Sequence, residues 1–230
     1  MKTGIVVFPG SNCDEDLVGA VSSITSGKVI KLWHKEADLQ DCDVIMLPGG
    51  FSFGDYLRSG AIARFSSIMN SIIAHAGQGK PVIGICNGFQ ILCESGLLPG
   101  ALMHNTQRKF VCKNVFIRPC SHKALITAQL DHGRGYKIPI AHGEGNFFAP
   151  EETFLEMCGN DQVIFRYCDE NGNHTEESNP NGSLDHVAGI CNLKGNVMGM
   201  MPHPERAADN TLGNTDGREI LEQLYSVVNA

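Results

Sequence analysis

The chain has 230 residues, 42% hydrophobic and 19% charged, an ordinary globular composition with enough apolar side chains for a substantial core. Its formal net charge of −7 favours solubility and argues against general nucleic-acid binding. No apolar run approaches the length needed to cross a bilayer, so no membrane association is expected.

Residues 3–8 form a short apolar run ending at Pro9-Gly10, with no small-residue cleavage site, and read as a buried strand and not a signal peptide. Residues 11–16 resemble a helix start, with Asn12 as cap and Asp14, Glu15 and Asp16 in the first turn. Strands are expected at 29–33, 43–47 and 81–85. An amphipathic helix is expected over 58–76, with Ile62, Phe65, Met69, Ile72 and Ile73 on one face, and another over 88–98. Beyond residue 110 the character changes: 111–117, 136–141, 162–167, 187–192 and 197–201 read as strands with short connections. Residues 170–185 form a polar loop and 215–228 a closing helix. Strand–helix alternation with apolar strands implies an α/β fold, a three-layer α/β/α arrangement around an open, mostly parallel sheet, with an antiparallel addition. No repeat or linker interrupts the chain, so residues 1–230 are expected to form one domain.

The nine cysteines are scattered and none has CxxC spacing, so no metal site is expected. With no secretory signal, a reducing cytoplasm is the expected location. One cysteine differs in context. In Gly84-Ile85-Cys86-Asn87-Gly88 a buried strand runs through a G-x-C-x-G turn into a helix, the cysteine counterpart of a nucleophile elbow. Such a turn projects Cys86 from the end of the sheet at a helix N-terminus, where the dipole and free N–H groups favour negative charge. The Asn87 N–H would face an oxyanion on a substrate attacked there. A cysteine merely buried in a glycine-bounded turn is the competing interpretation of these five residues.

A cysteine nucleophile needs a base and a group to orient it. Met201-Pro202-His203-Pro204-Glu205 follows an apolar strand; Pro204 biases His203 toward extended geometry, which lets Glu205 face the same way. His142, in Ala141-His142-Gly143-Glu144-Gly145, is the rival base, although its glycine-rich setting suits a pocket lining better. After the strand at 43–47, Pro48-Gly49-Gly50-Phe51-Ser52-Phe53-Gly54-Asp55 is a second glycine turn. The N–H groups of Gly50 and Phe51 could serve an oxyanion beside Asn87, because loops at the carboxyl ends of strands line sites in open α/β sheets. Residues 107–130 carry five basic residues (Arg108, Lys109, Lys113, Arg118, Lys123) and no acidic one, which is either a solvated face or a docking surface for an acidic partner.

Together the segments 48–55, 84–90, 141–145 and 201–206 resemble the class I (triad) glutamine amidotransferases, and within them the small glutaminase subunits of phosphoribosylformylglycinamidine synthases, from Gly4 to about Tyr225. The resemblance implies Cys86 as nucleophile, His203 as base and Glu205 as its orienter. It also implies Gly50, Phe51 and Asn87 at the oxyanion, with Gln90, His142 and Gly143 around the glutamine. It implies no cofactor in this chain: ATP and Mg2+ would belong to a synthetase subunit that receives ammonia and converts formylglycinamide ribonucleotide to its amidine. It leaves room for a small accessory subunit. A glutaminase feeding a different synthetase, a stand-alone cysteine hydrolase, and a non-enzymatic binding module on the same fold remain the alternatives.

Overall fold

The computed structural model describes residues 1–228. Five parallel strands lie in the order β2 (Lys28–Trp33), β1 (Lys2–Val7), β3 (Val44–Leu47), β4 (Val82–Ile85) and β11 (Val197–Met200). The sheet continues antiparallel through β10 (Val187–Cys191), β9 (Val163–Cys168), β6 (Val111–Pro119) and β7 (Tyr136–His142). A separate pair joins β5 (Ala101–Met103) to β8 (Asn146–Phe148). The chain thus leaves the parallel sheet after β4, builds the antiparallel half, and returns with β11 against β4.

Every residue of β3, β4 and β11 is buried, because helices cover both faces of the parallel half. The register shows which helix covers which face. Gly4 pairs with Ile45 and Ile45 with Val82, so these side chains share a face with Gly84, whose Cβ would point into α3 (Asn87–Glu94). Thr3, one residue before Gly4, points the other way and its hydroxyl meets Tyr225 Oη of α5 (Asp216–Val228) at 3.0 Å. α1 (Asp14–Ile24) packs beside α5, buries Leu17, Ala20 and Val21, and presents its acidic first turn at the carboxyl end of the sheet.

Several expectations are corrected. Asn12 is exposed and does not cap α1; its N–H donates back to the Gly10 carbonyl at 2.9 Å, and the helix begins after Cys13. The helix expected over 58–76 is α2, Ser67–Gly77. Ahead of it, Gly60 (φ +80°) presses against the backbone of Gln90 and Ile91, and Ser66 is extended. The reason is tertiary: Arg58 pairs with the Glu94 carboxylate at 2.8 Å and Arg64 donates to the Glu94 carbonyl at 3.1 Å. Both place positive charge at the C-terminus of α3 and pull 58–65 out of helical register, leaving Phe65 exposed. α3 itself stops at Glu94, short of the expected residue 98. α4 (Glu151–Gly159) was not anticipated, because only Met157 on it is fully buried and its apolar periodicity is weak.

Candidate active site

The carboxyl ends of three adjacent parallel strands deliver the predicted segments to one place. β3 leads into Gly49-Gly50, β4 into Cys86, and β11 into His203. Cys86 adopts φ 51°, ψ −104°, a conformation that a side chain tolerates only when its surroundings impose it. They do so here. The Cys86 N–H is held by the Met200 carbonyl at 2.8 Å. A Cβ on Gly84 would lie 2.5 Å from the Gly88 carbonyl carbon, and one on Gly88 would lie 2.0 Å from Leu47 O. Strand, turn and helix therefore approach more closely than any other residue type would permit, and the sulfur is left at the start of α3.

His203 Nδ1 and Glu205 Oε1 are 2.6 Å apart and both residues are buried. The turn Pro204–Ala207 brings the carboxylate round to the ring, and the His203 N–H anchors it by donating to the Pro139 carbonyl of β7 at 2.8 Å. Burial pushes the imidazole toward its neutral form, but the Glu205 charge, the Cys86 sulfur and the Cys13 thiol together hold it protonated well above the usual histidine range. His203 Nε2 has no hydrogen-bond partner in the protein, which leaves that nitrogen for chemistry. The rival His142 behaves oppositely. Its Nδ1 meets Asn105 Oδ1 at 3.2 Å, and burial, reinforced by the neighbouring His203, pushes it down to about 4. Glu144 does not partner it; its carboxylate takes the Ser59 N–H at 3.2 Å and faces His104 at 3.5 Å.

A cavity of about 160 Å³ opens over Cys86. Gly50, Phe51, Gln90, His142 and Gly143 all line it, and Asn87 lies beneath with its side chain tying α3 to the 52–55 turn. Asn87 Oδ1 accepts from the Ser52 N–H at 3.1 Å, and its Nδ2 donates to Gln90 Oε1 at 2.9 Å and Asp55 Oδ1 at 3.3 Å. One expectation fails: the Phe51 N–H is engaged by the Gly10 carbonyl at 2.8 Å, because the loop 9–12 packs directly on the 49–51 turn. That packing demands Gly50 (φ +139°), whose Cβ would lie 2.6 Å from Gly10 O. The N–H donors left beside the sulfur are those of Gly50 and of Asn87, which as the first helical residue has no intrahelical acceptor. Gln90 is also more committed than expected, since Nε2 donates to the Glu144 carbonyl at 2.6 Å; one N–H and one lone pair remain for a ligand.

The sequence did not point to Asp55 or Cys13, and it offered Glu144 only as a carboxylate beside His142. Asp55 lines the cavity, and burial pushes its carboxyl up to about 6, with the Glu144 charge adding to the effect against hydrogen bonds from Ser59 and Asn87. Glu144 stands beside it. Cys13 lies behind His203, with Sγ 3.2 Å from Arg206 Nη2. The only available signal for Asp55 was its place in the glycine loop after β3, and for Cys13 its place just past the end of β1.

Residues 1–224 match the model of the CobB/CobQ-like glutamine amidotransferase domain. The chain belongs to that family. Among amidotransferases of known sequence, a phosphoribosylformylglycinamidine synthase subunit PurQ of Chlorobaculum parvum is 54% identical over 226 residues, 98% of this chain and 90% of that protein. The subunit of the same name from Koribacter versatilis is 50% identical, over 99% of both chains. Among solved structures, a chain of PurLQS from Thermotoga maritima superposes with a TM-score of 0.86 at 38% identity, over 99% of this chain and 98% of that one. A glutamine amidotransferase of Thermotoga maritima, 15% identical with a TM-score of 0.57, shares the fold.

Proposed function

We propose that this chain, acting as one amidotransferase domain, is the glutaminase subunit of a phosphoribosylformylglycinamidine synthase. It hydrolyses glutamine to glutamate and ammonia and passes the ammonia to a synthetase subunit. The observation that carries the reading is the elbow-borne Cys86 beside a buried His203–Glu205 pair, at the ends of adjacent strands. The PurQ relatives, alike over nearly their whole length, supply the choice of synthetase. The Cys86 thiolate attacks the carboxamide carbon, and the oxyanion is received by the Gly50 and Asn87 N–H groups. His203 gives its proton to the leaving nitrogen, which departs as ammonia, and then takes a proton from the water that hydrolyses the γ-glutamyl thioester. Glu205 fixes the ring's tautomer throughout. ATP and Mg2+ serve the synthetase, which activates formylglycinamide ribonucleotide. The test is glutamate release from glutamine, measured alone and with the synthetase, formylglycinamide ribonucleotide and ATP. Release that rises with the loaded partner supports the whole reading; release that ignores it keeps the glutaminase and sinks the assignment of the synthetase.

Asp55 and Glu144 place negative charge across the cavity from Cys86, where the α-ammonium of glutamine would lie. Because the Asp55 carboxyl titrates near 6, it is ionised above that pH and loses its charge below it. The KM for glutamine is therefore expected to rise about tenfold between pH 7.5 and 5.0, and Asp55→Asn to hold it at the acid value throughout. A KM that stays flat across this range in the wild-type protein removes Asp55 from the binding site.

The basic stretch resolves into two parts. Arg118 donates to the Gly172 carbonyl at 2.8 Å and Lys123 to the Asn160 carbonyl at 2.5 Å, whereas Arg108, Lys109 and Lys113 are exposed and form no salt bridge among the described residues. Phe110, between the last two groups, reaches the rim of the cavity with its ring 6.3 Å from that of Phe51. This rim is the proposed docking face. Reversing the charge of Arg108, Lys109 and Lys113 together is expected to weaken synthetase binding at least tenfold, by roughly one decade or more at low salt, with unstimulated glutamate release unchanged. Unaltered affinity places the interface elsewhere.

A further inference from the structure

Around the His203 ring the fold brings together three donors from two remote segments. Cys13 follows β1 at the start of α1; His203 and Glu205 follow β11. One donor atom from each of the three falls within 4.8 Å of the other two, and none of the residues is more than 4% exposed. Gly49 makes the approach possible: a Cβ there would stand 2.5 Å from His203 Cε1 and 3.3 Å from Cys13 Sγ. Two of the donors carry unused capacity, since His203 Nε2 and Glu205 Oε2 are buried without a hydrogen-bond partner. Arg206 donates to Cys13 Sγ at 3.2 Å and is itself held by Asp16 at 3.1 Å. A cavity of about 150 Å³ opens onto Cys13 and His203 and gives a small ion a way in.

We propose that Cys13, His203 and Glu205 bind a zinc ion, and that its binding switches the glutaminase off. A thiolate, an imidazole and a carboxylate form the mixed S/N/O set that zinc takes with three protein ligands and one open position. Magnesium and calcium prefer oxygen and would find one such ligand here. Tetrahedral zinc holds its donors roughly 3.3–3.7 Å apart, so the three side chains need close by only about an ångström. Binding releases two protons to solvent, the Cys13 thiol proton and one N–H proton of the His203 imidazolium, and the metal takes the ring nitrogen so freed. A neutral imidazole metallated on either nitrogen carries its proton on the other and has no lone pair left to accept one, so it can no longer serve Cys86. This inhibition rests on the proposed role of His203; the binding itself does not. CxxC spacing gives no warning of such a site, because its ligands come from opposite ends of the chain.

The two claims are separated by using protein that lacks the nucleophile. Zinc affinity is measured by competition with a chromophoric chelator, under a non-thiol reductant, for Cys86→Ala and for Cys86→Ala combined with Cys13→Ala or with Cys13→Ser. One zinc bound by Cys86→Ala, weakened at least about 100-fold in both double variants, is the expected result. Equal affinity with and without Cys13, or no binding by Cys86→Ala, overturns the site. In the wild-type chain, micromolar zinc is expected to suppress glutamate release, a chelator to restore it, and Cys13→Ser to raise the half-inhibitory concentration at least tenfold, by about one decade or more relative to its own uninhibited rate. An unshifted half-inhibitory concentration in Cys13→Ser overturns the switch even if the ion binds.

Discussion

Cys86→Ala is expected to reduce glutamate release by at least about 10⁴-fold, with or without the loaded synthetase, while the thermal midpoint barely moves. The size of the loss follows from what the thiol does: without it there is no thioester route, and only binding and the two N–H donors remain to help water attack the amide. The small effect on stability follows from what the thiol does not do. It donates to the Ala141 carbonyl at 3.8 Å, a weak contact. Alanine carries the same Cβ, so the strain at φ 51°, ψ −104° is unchanged. The variant thus separates chemistry from folding. A rate within tenfold, about one decade, of the wild type in folded protein would reject Cys86 as nucleophile. Loss of ester or peptide turnover with no glutamine activity to begin with would favour the stand-alone hydrolase.

What could be read from the sequence was local. The elbow is legible because its requirement lies within five residues: Gly84 and Gly88 are needed where α3 crosses β4 and β3, and the cysteine is between them. The His203–Glu205 pair is legible because a proline-stiffened two-residue spacing brings ring and carboxylate together without help from elsewhere. The strands of the parallel half are legible because burial on both faces makes them continuously apolar. What escaped was set by contacts between distant segments. The Phe51 N–H is lost to the oxyanion only because the loop after β1 lies on the turn after β3. Asp55 becomes a weak acid through burial, reinforced by the charge of Glu144 from a distant part of the chain, and not through any local pattern. The choice between His203 and His142 needed the environment of each ring: one is raised by a carboxylate partner, the other lowered by burial against Asn105.

Gly88→Ala is expected to destabilise the protein by about 3 kcal/mol or more and to abolish glutamate release. Local preferences predict the reverse. Gly88 lies in the first turn of α3 with an ordinary φ, and alanine is the better helix former by about 1 kcal/mol. The opposing effect is steric. The new methyl would stand 2.0 Å from Leu47 O, 2.6 Å from Leu47 C and 2.8 Å from Leu47 Cβ. Two of those three atoms are backbone of β3, a strand held on both sides by β1 and β4, so no side-chain rotation can relieve the contact. The helix must instead lift from the sheet. That carries the Asn87 N–H away from the Gly50 N–H, the two donors that depend on α3 and the turn after β3 keeping their present separation. Gly19→Ala is the matched comparison: it lies inside α1 with nothing within 4 Å of its Cβ, so the same substitution is expected to stabilise the chain by about 0.5–1 kcal/mol. Opposite signs in thermal unfolding for the two variants would show that close approach, and not glycine's flexibility, is what the elbow requires. A Gly88→Ala protein as stable and as active as the wild type would mean that α3 and β3 are further apart than the site proposed here needs.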